Sequence, residues 1–453
     1  MKLLCRHILL LLAFALILPV QAARAQNQGK WREIHKVKKK ETIFGLARDY
    51  GITIDQLKEA NPEMKDPNYK LKKGELIFIP YPYAAVDNTP APETVKTVDD
   101  VRTRAIRLGV MLPLHATNGD GNRMMEYYRG VLMACDSLKK KGISTEVWAW
   151  NVPEEGDIST PLSDPAAAKC DLIIGPLYSK FVPKLSSFVE RNGNLMLIPF
   201  SIHAPELFTN RNIFQVYQTQ NRQNEIVVQL FKKHFQGYHP VFIDCADPEG
   251  GKGAFTSLLR RELDQASVAY NLTSLTSTDE NFLKAFSLSK PNVVILNGSR
   301  STDLTQAFGK LSAVASGNPD VKISMLGYSE WLMFTRRNLD NFYKYDVYIP
   351  SPFFTNVTSS QTERISQAYR SNFRQDMMQT LPRFAITGFD HAMFFLQGLH
   401  LYGKPFTGAR GMVGYLPVQT PLMFERMGNG GLQNYTMMLV HYTKGKKVET
   451  ITN

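Results

Sequence analysis

The side chains that most often carry out catalysis do not occur in this sequence at catalytic spacings. Residues 327–331, Gly-Tyr-Ser-Glu-Trp, lack the closing glycine of a nucleophile elbow. Residues 249–253, Glu-Gly-Gly-Lys-Gly, lack the spacing and the Ser or Thr of a phosphate-binding loop. The nine histidines form no HExxH or HxxxH pair, so no metal site is indicated. We expect a protein that is not an enzyme and has no catalytic residue, metal or cofactor. Glycan hydrolysis by paired carboxylates stays open, but no residue pattern favours it.

From Arg104 onward, apolar segments of strand length alternate with amphipathic helical segments. The predicted strands are 106–112, 146–150, 172–174, 195–198, 240–245, 293–296, 323–326 and 347–349, and the clearest helices are 124–141 and 181–191. Continuous apolar strands separated by helices indicate parallel sheets that are covered on both faces. About 350 residues are too many for one such sheet, so we predict two α/β lobes. Binding sites then lie beyond the carboxyl ends of the strands, in the cleft between the lobes.

The N-terminus has the pattern of a cleaved signal peptide. Basic residues precede an apolar run at 8–18, and Ala23-Arg24-Ala25 has the small-x-small pattern of a cleavage site. The run is too short to span a bilayer. We therefore expect a leader at 1–25, a mature chain from about Gln26 without a membrane span, and export to the periplasm or cell envelope. Cys5 precedes the apolar run, so it is not the acylated cysteine of a lipoprotein.

The overall charge and the cysteines favour neither nucleic-acid binding nor metal binding. The formal net charge is +12, but the excess is spread along the chain without an Arg/Lys stripe or a nucleic-acid motif. Cys135, Cys170 and Cys245 are an odd number of cysteines in the expected mature chain, with no CxxC spacing. Cys135 and Cys245 fall at predicted core positions, and nothing in the spacing supports a disulfide.

A small module is predicted over residues 31–82. A strand at 34–37 precedes a helix at 43–50 that ends at Gly51, and a second helix, capped by Thr53, runs from 54 to Asn61-Pro62. A closing strand follows at 75–80. The order is β-α-α-β. Residues 84–103, with two prolines and several threonines, are predicted to be a semi-extended linker.

The residues of this module resemble those of a LysM domain over its whole length. The matching stretches are 37–47, V-K-K-K-E-T-I-F-G-L-A, then 50–61, Y-G-I-T-I-D-Q-L-K-E-A-N, and 71–80, L-K-K-G-E-L-I-F-I-P. Lys40 departs from the family, which usually has a turn glycine there. The resemblance implies a shallow groove that binds N-acetylglucosamine units of peptidoglycan or chitin, lined by Glu41, Thr42, Ile43, Phe44, Asn61 and Pro62. The alternative is that Ile43 and Phe44 are core residues.

Residues 104–453 resemble the type I periplasmic binding proteins, the leucine-binding-protein family. Four stretches carry the resemblance in order: 128–131, Y-R-G-V; 171–179, D-L-I-I-G-P-L-Y-S; 197–207, L-I-P-F-S-I-H-A-P-E-L; and 387–392, T-G-F-D-H-A. The family's fold implies two parallel-sheet lobes joined by a hinge. We place the first lobe at about 104–218 and 351–404, and the second at about 219–350 and 405–453.

The resemblance also implies a ligand site between the lobes. Ser179 and Ser201 match positions that grip a ligand carboxylate in amino-acid-binding members, next to Tyr178, and Glu330 matches the acid that holds the ammonium. His203 stands where a threonine is usual, which argues against a free amino acid as the ligand. The alternatives are that Ser179 caps the following helix and that Glu330 is an exposed acid at a helix start.

Two functional hypotheses follow from the sequence. In the first, the protein is tethered to peptidoglycan and its large domain closes around a small solute, such as an amino acid, a peptide or a wall fragment. In the second, the same fold is a scaffold that binds a cell-wall-synthesis protein, similar to the lipoprotein activators of peptidoglycan synthases. Convergent polar groups in the cleft favour the first hypothesis, and a filled or blocked cleft favours the second.

Overall fold

A computed structural model of the chain describes two compact units. The described residues are 31–39, 41–50, 52–66, 69–80, 100–247, 251–357 and 359–452. The units divide the chain at residue 88. The predicted leader, Lys40, Gly51 and most of the predicted linker (84–99) lie outside the described residues. Within the described residues, no helix has both the length and the apolar character that a membrane crossing needs.

The smaller unit has the predicted β-α-α-β order. Its elements are β1 (Trp31–Lys36), α1 (Ile43–Tyr50), α2 (Ile54–Ala60), a 3₁₀ helix (Pro62–Lys65) and β2 (Leu76–Pro80). β1 and β2 pair antiparallel, and residues such as Leu46, Leu57 and Ile77 are buried between the sheet and the helices. Thr53 caps α2 as predicted, because its hydroxyl accepts from the backbone N–H of Gln56.

The larger unit is the predicted two-lobed α/β fold. The elements of the first lobe are β3 (Ile106–Leu112), α3 (Gly119–Lys139), β4 (Thr145–Asn151), α4 (Ser159–Leu162), α5 (Pro165–Lys169), β5 (Leu172–Ile174), α6 (Val182–Asn192), β6 (Leu195–Ile198) and β7 (Ile213–Gln215). The chain then forms the second lobe with α7 (Gln220–His234), β8 (His239–Asp244), α8 (Gly253–Gln265), β9 (Asn271–Ser274), α9 (Asp279–Leu283), β10 (Asn292–Leu296), α10 (Ser301–Gly317), β11 (Ile323–Leu326), α11 (Thr335–Lys344) and β12 (Val347–Ser351).

The last hundred residues serve both lobes. Their elements are α12 (Ser360–Phe373), α13 (Phe384–Tyr402), β13 (Phe424–Arg426), β14 (Leu432–Asn434), β15 (Met438–Tyr442) and β16 (Val448–Thr452). The strand order is β13-β14-β7-β6-β5-β3-β4 in the first lobe and β16-β15-β12-β11-β10-β8-β9 in the second. Both sheets are mainly parallel, and the antiparallel pairs all involve strands after residue 423.

The predicted lobe boundary at residue 405 was wrong. β14 pairs with β7, and Phe406, Leu422 and Phe424 are buried in the core of the first lobe, so residues 405–436 belong there. Of the segment 405–453 that was predicted for the second lobe, only β15 and β16 join the second sheet. β13 and β14 are three residues long and mixed in composition, so the sequence does not mark the return of this part of the chain to the first lobe.

The chain crosses between the lobes three times, after β7, after β12 and before β15. The first two crossings leave from carboxyl ends of parallel strands. β15 runs antiparallel to β12, so its first residues lie beside the last residues of β12. The carboxyl edges of both sheets therefore face the hinge and each other, and the cleft lies between them.

Helices α3 and α13 pack closely in the first lobe through two glycines. A Cβ atom on Gly130 would overlap the backbone carbonyl of Ala385, and one on Gly388 would overlap the carbonyl of Tyr127. These glycines belong to two of the sequence stretches that resemble the binding-protein family. The two stretches therefore meet at one helix crossing, where α3 and α13 each need a glycine at the point of contact.

We expect Gly130→Ala and Gly388→Ala each to lower the free energy of unfolding by about 1–3 kcal/mol, because the added methyl groups force the helices apart. Gly309→Ala is the matched control, since Gly309 lies in the exposed face of α10 with open space around it. That change should be neutral or stabilise by up to about 1 kcal/mol. Urea unfolding followed by circular dichroism measures the difference. Equal stabilities for the three variants would contradict the close helix contact.

Candidate functional site

An open depression lies at the carboxyl edge of the first sheet. Its volume is about 500 Å³. The residues that line it are Glu154, Leu177, Tyr178, Ser179, Lys180, Phe200, Ser201, Ile202 and His203. They follow β5 and β6, which are neighbours in the sheet, and β4, which is separated from β5 by β3. Four of the five predicted ligand residues thus lie together, and all of them belong to the first lobe.

Two serine hydroxyls lie in contact in this depression. The Oγ atoms of Ser179 and Ser201 are 2.7 Å apart. Ser201 Oγ also accepts from the backbone N–H of His203 at 3.3 Å, and its carbonyl accepts from Gln215 Nε2 at 2.9 Å. The Ser179 hydroxyl caps no helix, so that alternative is wrong: the 3₁₀ helix at 179–181 has Tyr178 at its cap position, without a side-chain bond. The pair can present hydroxyl donors and acceptors to an oxygen-rich ligand.

The wall around the serines combines aromatic and acidic groups. Tyr178 is half-buried, and its hydroxyl donates to Asp120 Oδ2 at 3.4 Å. Burial and the neighbouring carboxylate raise the pKa of Tyr178, so it stays a neutral donor. The side chain of His203 is exposed. The ring of Phe200 contacts those of Tyr127, Tyr217 and Phe384 and forms the floor, a role that sequence reasoning missed.

Glu330 lies on the second lobe and does not line the depression. It follows β11, and its carboxylate accepts from Lys252 Nζ at 2.6 Å. The same ammonium lies 4.9 Å from the centre of the Tyr328 ring. The side chain of Glu330 is partly exposed, and its carboxylate is already paired with the Lys252 ammonium. On the same edge, Arg300 and Asp247 form a second ion pair at 3.2 Å.

A buried carboxylate holds the segment beside the hinge. Asp390 on α13 is fully buried and accepts from the Tyr415 hydroxyl at 2.6 Å and from the backbone N–H groups of Val418, Gln419 and Thr420 at 2.8–3.1 Å. Burial raises the pKa of Asp390 to about 6, and the four donors oppose that shift. At neutral pH the carboxylate is ionised and fixes residues 415–423, which we call the hinge bracket.

The hinge bracket forms hydrogen bonds with the second and third crossings. The first crossing is connected to the bracket through the third. In the second crossing, Phe354 N donates to Gln419 O at 3.0 Å. In the third, the Thr436 hydroxyl donates to Pro421 O at 2.6 Å. The first is joined to the third, because Gln218 Nε2 donates to Thr436 O at 3.2 Å. The relative position of the two cleft walls thus depends on the bracket.

In the small unit, four of the six predicted groove residues have structural roles: Glu41, Thr42, Ile43 and Asn61. Glu41 Oε2 accepts from Lys38 N at 2.6 Å and contacts His35 Nε2 at 2.7 Å. The Thr42 hydroxyl accepts from Gly45 N at 3.0 Å and so caps α1. Ile43 is partly buried against the core. The alternative that Ile43 and Phe44 are core residues therefore holds for Ile43.

Asn61 is fully buried, which leaves its side chain no part in a surface groove. Its amide donates to Leu57 O and Phe78 O at 2.8 and 2.7 Å and accepts from Phe78 N at 2.8 Å, tying α2 to β2. The exposed members of the predicted set are Thr42, Pro62 and Phe44, whose side chain is 65% exposed. An aromatic ring exposed to this extent in a small domain is a natural contact for a sugar face.

The three cysteines of the large unit are core residues. Cys135, Cys170 and Cys245 are free and buried. Burial raises the pKa of each thiol, to about 12 for Cys170 and Cys245, so they are inert core residues. Among the described residues, no group of three or more His, Cys, Asp or Glu side chains is placed to hold a metal ion.

The fold and the depression define a two-lobed α/β binding protein preceded by a small β-α-α-β module. The family model of the LysM domain matches residues 35–80, and that of the periplasmic binding proteins matches residues 166–414. The second match covers more than half of the chain, so the chain belongs to the periplasmic binding protein family.

Solved structures match the chain at low sequence identity, and one of them does so with a TM-score above 0.5. A putative branched-chain amino acid ABC transporter protein from Rhodospirillum rubrum is 13% identical, with a TM-score of 0.51, over 77% of this chain and 100% of that one. LivJ of Streptococcus pneumoniae, solved with isoleucine, is 14% identical (TM-score 0.38) over 77% and 100%. Full-length LpoA of Haemophilus influenzae is 16% identical (TM-score 0.47) over 77% and 59%. No curated protein matches the sequence.

Proposed function

We propose that this chain is an exported binding protein of the periplasm or cell envelope, without enzymatic activity. Its LysM domain tethers it to N-acetylglucosamine units of peptidoglycan, and its large domain binds a small solute between the lobes. The family membership supports a binding role. The match to the LysM model supports a glycan partner. Neither the family nor the site points to nucleic acid as a partner.

Phe44 is the residue on which we expect glycan binding to depend most. It begins the exposed face of α1 next to the Thr42 cap, and its ring is free to stack on a sugar. Glu41 and Asn61 contribute indirectly, because they hold the two loops in place. Within the predicted set, Phe44 is thus a contact residue, and Glu41 and Asn61 are positioning residues.

We expect Phe44→Ala to weaken binding of the chain to insoluble peptidoglycan or chitin at least about tenfold, because a stacked aromatic ring contributes on the order of 1.4 kcal/mol. Leu76→Ala is the matched control: Leu76 is 56% exposed on β2 and is not one of the predicted groove residues. Co-sedimentation measures both affinities. Equal loss in the two variants, or in neither, would contradict the role of Phe44.

The proposal for the large domain rests mainly on the contact between Ser179 and Ser201. Their hydroxyls lie at the carboxyl ends of adjacent parallel strands, where ligands of open α/β sheets bind. The depression is lined by the first lobe alone, which fits an open state that awaits closure of the second lobe. Its mixture of hydroxyls, aromatic rings and one acid suits an amino-acid derivative, a peptide or a wall fragment.

We expect one member of a panel of amino acids, dipeptides, nucleosides and muropeptides to raise the melting temperature of the full chain. A ligand at 100 times its dissociation constant adds about 2.7 kcal/mol to the free energy of unfolding. Ser179→Ala and Ser201→Ala should each remove most of this shift. Ser187→Ala, on an exposed face of α6, should keep it. A shift that survives both serine variants would place the ligand elsewhere.

A scaffold that binds a cell-wall-synthesis protein is the alternative function, and one observation favours it. Lys252 occupies the carboxylate of Glu330 with an ion pair, so the second wall of the cleft offers this acid to no ligand ammonium. A flat response across the whole panel, together with capture of a wall-synthesis protein by cross-linking in the envelope, would replace the solute hypothesis with this one.

A further inference from the structure

The two sheets of the large unit have four open edges, and three of them carry charged residues on the edge strand. β4 contains Glu146, which lies 3.8 Å from Arg107. β13 contains Glu425 and Arg426, and β16 contains Glu449. Charges on an edge strand discourage another strand from pairing with it. These three edges are protected in the usual way.

The fourth edge, β9, has no such protection except its length of four residues. From Gln265 to Thr278 the chain has no charged residue, no proline and no glycine. A run of this kind on an edge strand leaves the backbone groups accessible to a further strand.

The open backbone groups of β9 centre on Leu272. β9 pairs in parallel with β8, with Leu272 opposite Phe242. The backbone N–H of Leu275 donates to Asp244 O, so the odd-numbered residues turn their backbone groups towards β8. The N–H and C=O of Leu272 therefore point to the open side of the sheet. Among the described residues, none lies at hydrogen-bonding distance from them.

Exposed aliphatic side chains surround this edge. Leu272 is 60% exposed, Val268 37% and Leu288 70%. Leu288 lies close by, because the carbonyl of Ala285 accepts from Asn271 Nδ2 at 3.0 Å. Helices α8 and α9 belong to crossovers that run in opposite directions, so they lie on opposite faces of the sheet and can widen a contact on both sides.

We propose that β9 pairs antiparallel with β9 of a second copy of this chain, with Leu272 opposite the partner's Leu272. A two-fold axis at this residue lets the two leucines exchange both backbone hydrogen bonds. In an isologous contact, residues near the two-fold axis meet their own copies, so a charged residue there would face a like charge. The run from Gln265 to Thr278 carries no charge and avoids this repulsion. The exposed leucines then cover one another, and the two sheets of the second lobes become one. The proposal is independent of the ligand of the cleft.

A cysteine at position 272 tests this geometry directly. In a hydrogen-bonded antiparallel pair the Cα atoms lie about 5.5 Å apart, within the range that a disulfide spans. The three native cysteines of the large unit are buried and should not compete. We expect Leu272→Cys to form a covalent dimer of the full chain under mild oxidation. Leu401→Cys, 54% exposed on the first lobe, should not. Equal cross-linking of both variants, or of neither, overturns the proposal.

Sedimentation velocity gives a second test that needs no new bond. The wild-type chain should dimerise with rising concentration, and Leu272→Lys should raise the dissociation constant at least about tenfold, because it buries two like charges at the axis. Leu401→Lys should leave it unchanged. A wild-type chain that stays monomeric, or a dimer that survives Leu272→Lys, contradicts β9 pairing. An extended peptide that binds the monomer at β9 would show a different partner and also overturn the proposal.

Discussion

The hinge bracket at residues 415–423 is held by the carboxylate of Asp390, and the position of both cleft walls depends on it. A buried carboxylate is costly unless hydrogen bonds replace its hydration. Here one tyrosine hydroxyl and three backbone N–H groups do so. The bracket can satisfy Asp390 only where α13 places it. The position of α13 depends in turn on the close crossing at Gly130 and Gly388. Two glycines and one acid thus connect the core of the first lobe to the crossings of the chain.

The two walls of the cleft differ in what they offer a ligand. The first lobe presents a pair of serine hydroxyls, a tyrosine and an aromatic floor. The second lobe presents ion pairs that are already closed, Lys252 with Glu330 and Arg300 with Asp247. The carboxylate of Glu330, which the sequence matched to the acid that holds a ligand ammonium, is already paired with Lys252. The first lobe therefore provides the main contacts in our account, and the second lobe closes over the ligand.

Sequence reasoning succeeded where the signal is local. The two helices and the closing strand of the LysM domain, and β3, β5, β6 and β11, lie within one or two residues of their predicted bounds, because each is a continuous apolar or amphipathic segment. The first LysM strand was predicted at 34–37 and begins earlier, at Trp31. β7, β9 and β13–β16 were missed, since most of them are short or mixed in composition. Their assignment to a sheet depends on partners far away in the chain. The wrong boundary at 405 has the same cause.

The candidate site was predictable to a similar extent. Ser179 and Ser201 lie together because both follow apolar strands that are neighbours in the sheet. The role of Asn61 could not be read from the sequence, because its partner Phe78 is 17 residues away. Likewise, the pairing of Glu330 with Lys252 joins residues 78 positions apart. A reading of residue types identifies polar groups, but it does not show which of them other parts of the chain have already satisfied.

The central claim is that the lobes close around a solute, and the distance between the two walls tests it most directly. Ala116 and Met333 are exposed beyond the carboxyl ends of β3 and β11, one on each lobe. Spin labels on cysteines at these positions, measured by double electron–electron resonance, report the separation of the walls. When a small-molecule extract of the cell envelope is added, a second, shorter distance should appear. The fraction of molecules that show this shorter distance should rise with the concentration of the extract. A single distance between the two labels that stays unchanged with every fraction of the extract would contradict a solute-binding role.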